Sequence, residues 1–137
     1  MKTNIATDNF QSQRLLRCGV SADTADMARY EDDEVPMMPW DWITGSYGGT
    51  FPAWSLSSLL GLIPHVIEVY DDGDYYFSLA QEFPASEDYH AAYKYCWADD
   101  DALVGKRNSC PIEACVQLIE WLTSNGYKLN EINKEEL

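Results

Sequence analysis

The sequence predicts an α+β domain with an N-terminal helix pair, a short central helix, an antiparallel three- to four-stranded sheet and a C-terminal helix packed on that sheet. Three observations carry the prediction. Segments 8–18 and 111–125 repeat apolar residues at helical spacing between recognisable caps. Segments 66–79 and 89–97 are rich in β-branched and aromatic residues and are broken by turn chemistry. Helices, then adjacent strands, then a helix is the order of an α+β fold.

Asp8 to Cys18 forms the first predicted helix. Asp8 with Gln11 three residues later fits a capping box, and Gly19 suits C′, with Val20 placed to touch Leu15 in a Schellman ending. Ser21 then caps a second short helix running to about Tyr30. Glu31 to Thr50 holds two prolines, three glycines and two tryptophans without a period, and reads as a long loop.

The stretch "FPAWSLSSLLGLIPH" reads as the central helix. Ser55 is its N-cap, Trp54 and Leu59 make a hydrophobic staple, and Leu56, Leu59, Leu60 and Ile63 form one stripe that Pro64 ends. His65 lies beyond the proline, so it makes no constellation with Ser55, Ser57 and Ser58. "HVIEVYDDGDYYFSLA" predicts a hairpin about Asp72-Gly73. Tyr89 to Trp97 is a third strand, with Tyr89, Ala91, Tyr93, Tyr95 and Trp97 on one face and His90, Lys94 and Cys96 on the other. Ala102 to Lys106 is a short fourth strand. In the last helix Pro111 suits N1 and Glu113 N3, while Ile112, Cys115, Val116, Ile119 and Leu122 face the core. Gly126 fits its C′ position, with Tyr127 placed to pack on Leu122.

At 137 residues the chain fits a single domain, 1–137, whose core needs no disulfide or metal staple. Its charge is −14, with 23 acidic against 9 basic residues. From Tyr30 to Tyr93 there is no Lys or Arg, yet that span carries 12 Asp or Glu. Binding to a phosphate backbone or an anionic membrane needs clustered cations, so both are disfavoured. The N-terminus lacks the apolar region of a secretory signal, and no run approaches the roughly 18 apolar residues of a membrane span. Four cysteines without a C-x-x-C pair fit reduced thiols, and the expected compartment is the cytoplasm.

Motifs of known chemistry fail on their spacing. "RLLRCGVSADTADM" imitates a helix-turn-helix, but Asp23 and Asp26 stand where its second helix would meet phosphates, so a packed αα-corner is the better reading. "GSYGGT" lacks the lysine and the spacing of a phosphate loop. "DDGD" puts Tyr76 where a calcium loop needs glycine. Cys110 at a helix N-terminus has no adjacent base, and Glu113 opposes its ionisation. No catalytic residue, cofactor or metal ligand is assigned. The best binding candidates are Trp40, Asp41, Trp42 and Tyr47 in the long loop, since irregular aromatic segments often make interaction surfaces. The competing reading folds Trp40 or Trp42 back over the sheet.

"PAWSL…LL…LP", together with "QSQRLLRCGVSADTADM" and "CPIEACVQLIEWLTSNGY", resembles the shared segments of a family of small uncharacterised proteins from Bacteroidetes genomes, phages and mobile elements. The resemblance spans most of the chain but implies no activity, cofactor or site residue. The leading expectation is a small soluble accessory protein acting by protein–protein contact. The alternatives are an acidic DNA mimic that occupies a basic nucleic-acid-binding protein, and a small enzyme with an unrecognised pocket.

Overall fold

The computed structural model describes residues 5–30, 50–69, 73–82, 84, 86–95 and 102–130. They form an α+β arrangement of three α-helices and two antiparallel sheets. Helix α1 is Asn9–Arg17, strands β1 and β2 are Met27–Tyr30 and Thr50–Ala53, and helix α2 is Leu56–Leu62. Strands β3 (Val66–Val69), β4 (Gly73–Gln81), β5 (Tyr89–Lys94) and β6 (Ala102–Asn108) follow, and helix α3 spans Pro111–Ser124. β1 and β2 pair with each other, and the larger sheet runs β3-β4-β5-β6.

The helix ends follow the sequence signals. Asp8 accepts the Gln11 N–H at 2.7 Å, and Gln11 Oε1 accepts the Asp8 N–H at 3.0 Å, which completes the capping box. Gly19 takes a φ of +92°, and the Val20 and Gly19 N–H groups reach the carbonyls of Leu15 and Leu16. Gly126, at φ +82°, ends α3 the same way, with the Tyr127 N–H on Leu122 O at 2.9 Å. The Tyr127 ring stacks on Trp121, with centroids 5.5 Å apart. Ser55 caps α2 by accepting the Ser58 N–H, and its neighbours Trp54 and Leu59 are fully buried. Beyond Pro64, Asn130 donates to the carbonyls of Gly61 and Ile63 and closes the other end of α2.

The second helix of the expected N-terminal pair does not form. Ser21 does cap, but what it caps is a three-residue 3₁₀ turn, Ala22–Thr24, and the chain then extends as β1. Residues distant in sequence hold it there. Trp54 Nε1–H donates to Thr24 Oγ1 at 2.9 Å, and Asp26 accepts both the N–H and the hydroxyl of Ser55. Met27 to Tyr30 pair in register with Ala53 to Thr50. Arg29, only 2% exposed, donates to the carbonyls of Thr7 and Ala6. These contacts override the helical propensity of alanine, methionine and arginine. The αα-corner is therefore replaced by a turn and a two-stranded sheet, whose β2 starts at Thr50, the last residue of the segment expected to be loop, and runs on to Ala53.

In the larger sheet Ile67, Val69, Tyr75, Phe77, Leu79, Ala91, Tyr93 and Val104 share the core with α3. The hairpin joins Val69 opposite Gly73, whose φ of +101° requires glycine. β5 stops at Lys94, short of the expected Trp97, where a bulge shifts its register with β6. β6 runs two residues longer than expected, to Asn108.

α1 is tied to α3 by charge as well as by packing. Arg14 grips Glu113 through both carboxylate oxygens, at 2.8 and 3.1 Å, and also bonds Glu120 one face-repeat further along α3. Gln11 and Gln117 donate to the same Glu113 carboxylate, and the Arg14 guanidinium lies over the Phe10 ring. Burial works to raise the Glu113 pKa, but the hydrogen bonds from Arg14, Gln11 and Gln117 outweigh it and hold the group below its ordinary value. Arg14→Met should cost about 2–4 kcal/mol in chemical denaturation, since it leaves a half-buried carboxylate without its cation. Glu113→Gln should cost less in that background than in the wild type. The depressed carboxylate pKa makes the lock complete above the unfolded value and lost as pH falls below it, so Arg14→Met should flatten the acid limb of the stability curve.

Candidate interaction surface

Alternation along the strands sends Val66, Glu68, Tyr76, Ser78, Ala80, His90, Ala92, Lys94, Leu103, Gly105 and Arg107 to the face opposite the core. None of the described helices packs there: α3 lies across β5 and β6 on the core side, and α1 and α2 pack on α3. The cross-strand register orders this outer face into rows. Val66, Tyr76 and Lys94 form one row, and Ser78, Ala92 and Gly105 the next. Ala80, His90 and Arg107 form the third. Val66, Tyr76 and Leu103 are 45%, 47% and 37% exposed, which puts large apolar groups in water along one side. The middle row is small and low. Beyond the third row Arg107 Nε–H meets the Glu82 carboxylate at 2.7 Å.

His90 sits on this face in an unusual seat. Its ring lies over Gly105, where a Cβ would come within 2.2 Å of Nε2. That nitrogen is buried and has no hydrogen-bond partner. Burial is the main cause that lowers the His90 pKa. Arg107 and Lys94 push the same way, and Glu82 pushes against them.

The residues with potential for chemistry are not brought together. His90 faces outward, whereas Cys110 begins α3 and packs against the core. Its N–H is held by Asn108 Oδ1, and its side chain makes no cap bond. Cys115 is fully buried, and desolvation pushes its thiol up to about 12. Trp40, Asp41, Trp42 and Tyr47 lie outside the described residues, as does Cys96. His65 is exposed just before β3. No group of His, Cys, Asp and Glu among the described residues could hold a metal ion. No described helix is long and apolar enough to cross a membrane. The segment that imitates a helix-turn-helix has no second helix to enter a groove.

A groove of about 690 Å³ runs between the ends of α1 and α3 and the segment 128–130, lined by Cys18, Val20, Asp23, Leu62, Thr123 and Lys128 among others. It mixes one acid, one base and a lone thiol without convergence on a common point, and the outer sheet face is the stronger candidate. Of the 23 acidic residues, 10 lie among those described. Five of these have partners within the chain: Asp8 and Asp26 at helix starts, Glu82 on Arg107, and Glu113 and Glu120 on Arg14.

The chain matches no family model, no curated protein and no solved structure. The geometry therefore stands alone as the guide to what this surface does.

The buried thiol gives a direct check on the core. In alkylation followed by peptide mapping, Cys115 should label only at the rate of global unfolding, while the partly exposed Cys18 should label in the native state.

Proposed function

We propose that the protein is a small cytoplasmic accessory protein that acts by binding another protein through the outer face of its four-stranded sheet. The observation that carries this reading is the set of exposed apolar groups at Val66, Tyr76 and Leu103, with Lys94 on the strand between Tyr76 and β6, on a sheet face that no described helix covers. Water-exposed Tyr and aliphatic groups suit an apolar segment of a partner, with Lys94 in the same row as Tyr76 to meet a carboxylate on it. The aromatic segment that includes Trp40 and Trp42 is a second contact region in this reading, and the resemblance to small proteins of Bacteroidetes mobile elements suits an accessory role.

Quantitative capture from host cells tests the proposal. Wild-type protein should retain a stoichiometric partner that Tyr76→Lys with Leu103→Lys reduces at least about tenfold, consistent with loss of an aromatic and an aliphatic anchor. A photo-crosslinking residue at position 76 should attach to that same partner. Equal capture by wild type and double variant, with both folded, would reject the outer face. Loss on Trp40→Ala with Trp42→Ala alone would move the binding surface to the loop.

A further inference from the structure

We propose that His90 is a proton-controlled cover on the outer sheet face: the neutral imidazole lies on Gly105 and closes the floor beside Ala92, and the protonated ring must leave that seat. The inference starts from shape. β6 carries glycine opposite Ala92, diagonal to His90 on β5, whose ring reaches over it, and any side chain at position 105 would collide with that ring. The seat is therefore made by the absence of a Cβ. The seated ring also lies on the face where Ala92, though directed outward, is 0% exposed.

The second step is the proton. Nε2 is aimed at the backbone of β6, buried and without a partner. A neutral nitrogen tolerates this at moderate cost, because only a lone pair goes unpaired. A protonated one would bury an N–H and a shared positive charge with no acceptor for it. The charges that face the ring do not help enough. Arg107 on β6 and Lys94 on β5 repel an imidazolium. Glu82, after β4, attracts it but is already engaged by Arg107 at 2.7 Å. Burial is the largest of these effects and has the same sign as the two cations.

The direction follows. A histidine whose folded pKa lies below its ordinary value of about 6.5 stabilises the seated state fully above that value. The stability is lost as pH falls through it, because the open ring binds the proton more tightly. Once the ring leaves, Gly105 and Ala92 become part of the exposed floor, and the surface offered to a partner changes. This last consequence rests on the outer face being the binding surface, whereas the seat and its titration do not.

The test uses the full chain and needs no partner. NMR titration from about pH 8 to about pH 4 should give His90 a midpoint below the ordinary histidine value of about 6.5. The amide signals of Gly105 and Ala92 should move with that same midpoint. Gly105→Ala should expel the ring at neutral pH and bring the His90 midpoint up toward the ordinary value. His90→Gln, which leaves the strand backbone unaltered, should abolish the pH-dependent movement at Gly105 and covers the case in which Gly105→Ala does not fold. A wild-type His90 midpoint at or above about 6.5 would overturn the proposal, as would Gly105 and Ala92 amides that ignore the His90 titration. Both hold whether or not Tyr76→Lys with Leu103→Lys abolishes capture, so the cover and the binding surface fail separately.

Discussion

The structure depends on one helix being asked to cover one face of one sheet. α3 buries Ile112, Ala114, Cys115, Val116, Leu118, Ile119 and Leu122, and it meets β5, β6, α1 and α2. A run so apolar has to be surrounded on several sides, which is why α1 and α2 gather on it. The cost is that α1 brings a cation to a partly buried place. Arg14 is tolerable there because α3 offers two carboxylates, seven residues apart on one face, and because Gln11 and Gln117 satisfy what Arg14 leaves over. The capping box of α1 is part of the same network, since Gln11 accepts from Asp8 with its oxygen and donates to Glu113 with its nitrogen. Helix start and helix packing are fixed by one side chain.

A second knot holds the N-terminal region around Trp54. The Thr7 hydroxyl accepts the Trp54 N–H and bonds Ser12, the Thr7 N–H meets Trp54 O, and the indole N–H reaches Thr24. Residues from three parts of the chain thus satisfy one buried aromatic and the backbone around it. Arg29 adds two bonds to the carbonyls of Ala6 and Thr7. The same contacts leave Met27 to Tyr30 no freedom to coil.

What the sequence made legible was local. Asp8 with Gln11, Ser55 with Trp54 and Leu59, Pro111, Gly19 and Gly126 each specify an end by chemistry within a few residues, and each end lies where it was placed. The alternation at Tyr89 to Tyr93 is of the same kind, and so is the hairpin signal at Asp72-Gly73, although Gly73 begins β4 opposite Val69 and Asp72 lies outside the described residues. The errors arise where distant partners decide. Ser21 gave a correct cap, but Thr24, Asp26 and Arg29 answer to Trp54, Ser55 and Thr7, and no spacing within 21–30 announces that. The surface was least legible of all. His90 read only as a residue on the strand face opposite Tyr89 and Tyr93, and Gly105 lay unremarked within a short strand. Their meaning comes from the β5–β6 register, which puts Gly105 opposite Ala92 and one step from His90.

The same register bears on how the acidity should be understood. A mimic of nucleic acid would need its carboxylates free and aligned, facing a basic partner. Among the described residues, half of the acids are occupied at helix starts or on Arg14 and Arg107. The remaining five, Asp23, Glu68, Asp74, Glu87 and Asp88, are divided among the 3₁₀ turn, the β3–β4 hairpin and the β4–β5 connection. Of the chain's nine cations, three sit on β5 and β6, and they do not act alike. Lys106, paired with Ala91, alternates to the side opposite Gly105 and Arg107, and Arg107 is held by Glu82. Lys94 shares a row with Val66 and Tyr76, while Glu68 and Asp74 stand in the adjoining row of the hairpin. The outer face therefore combines apolar groups with charge of both signs. Among the described residues the divided, half-occupied carboxylates give a mimic no aligned row to present, whereas Tyr76 beside Lys94 offers an apolar segment of a partner one local charge for its carboxylate.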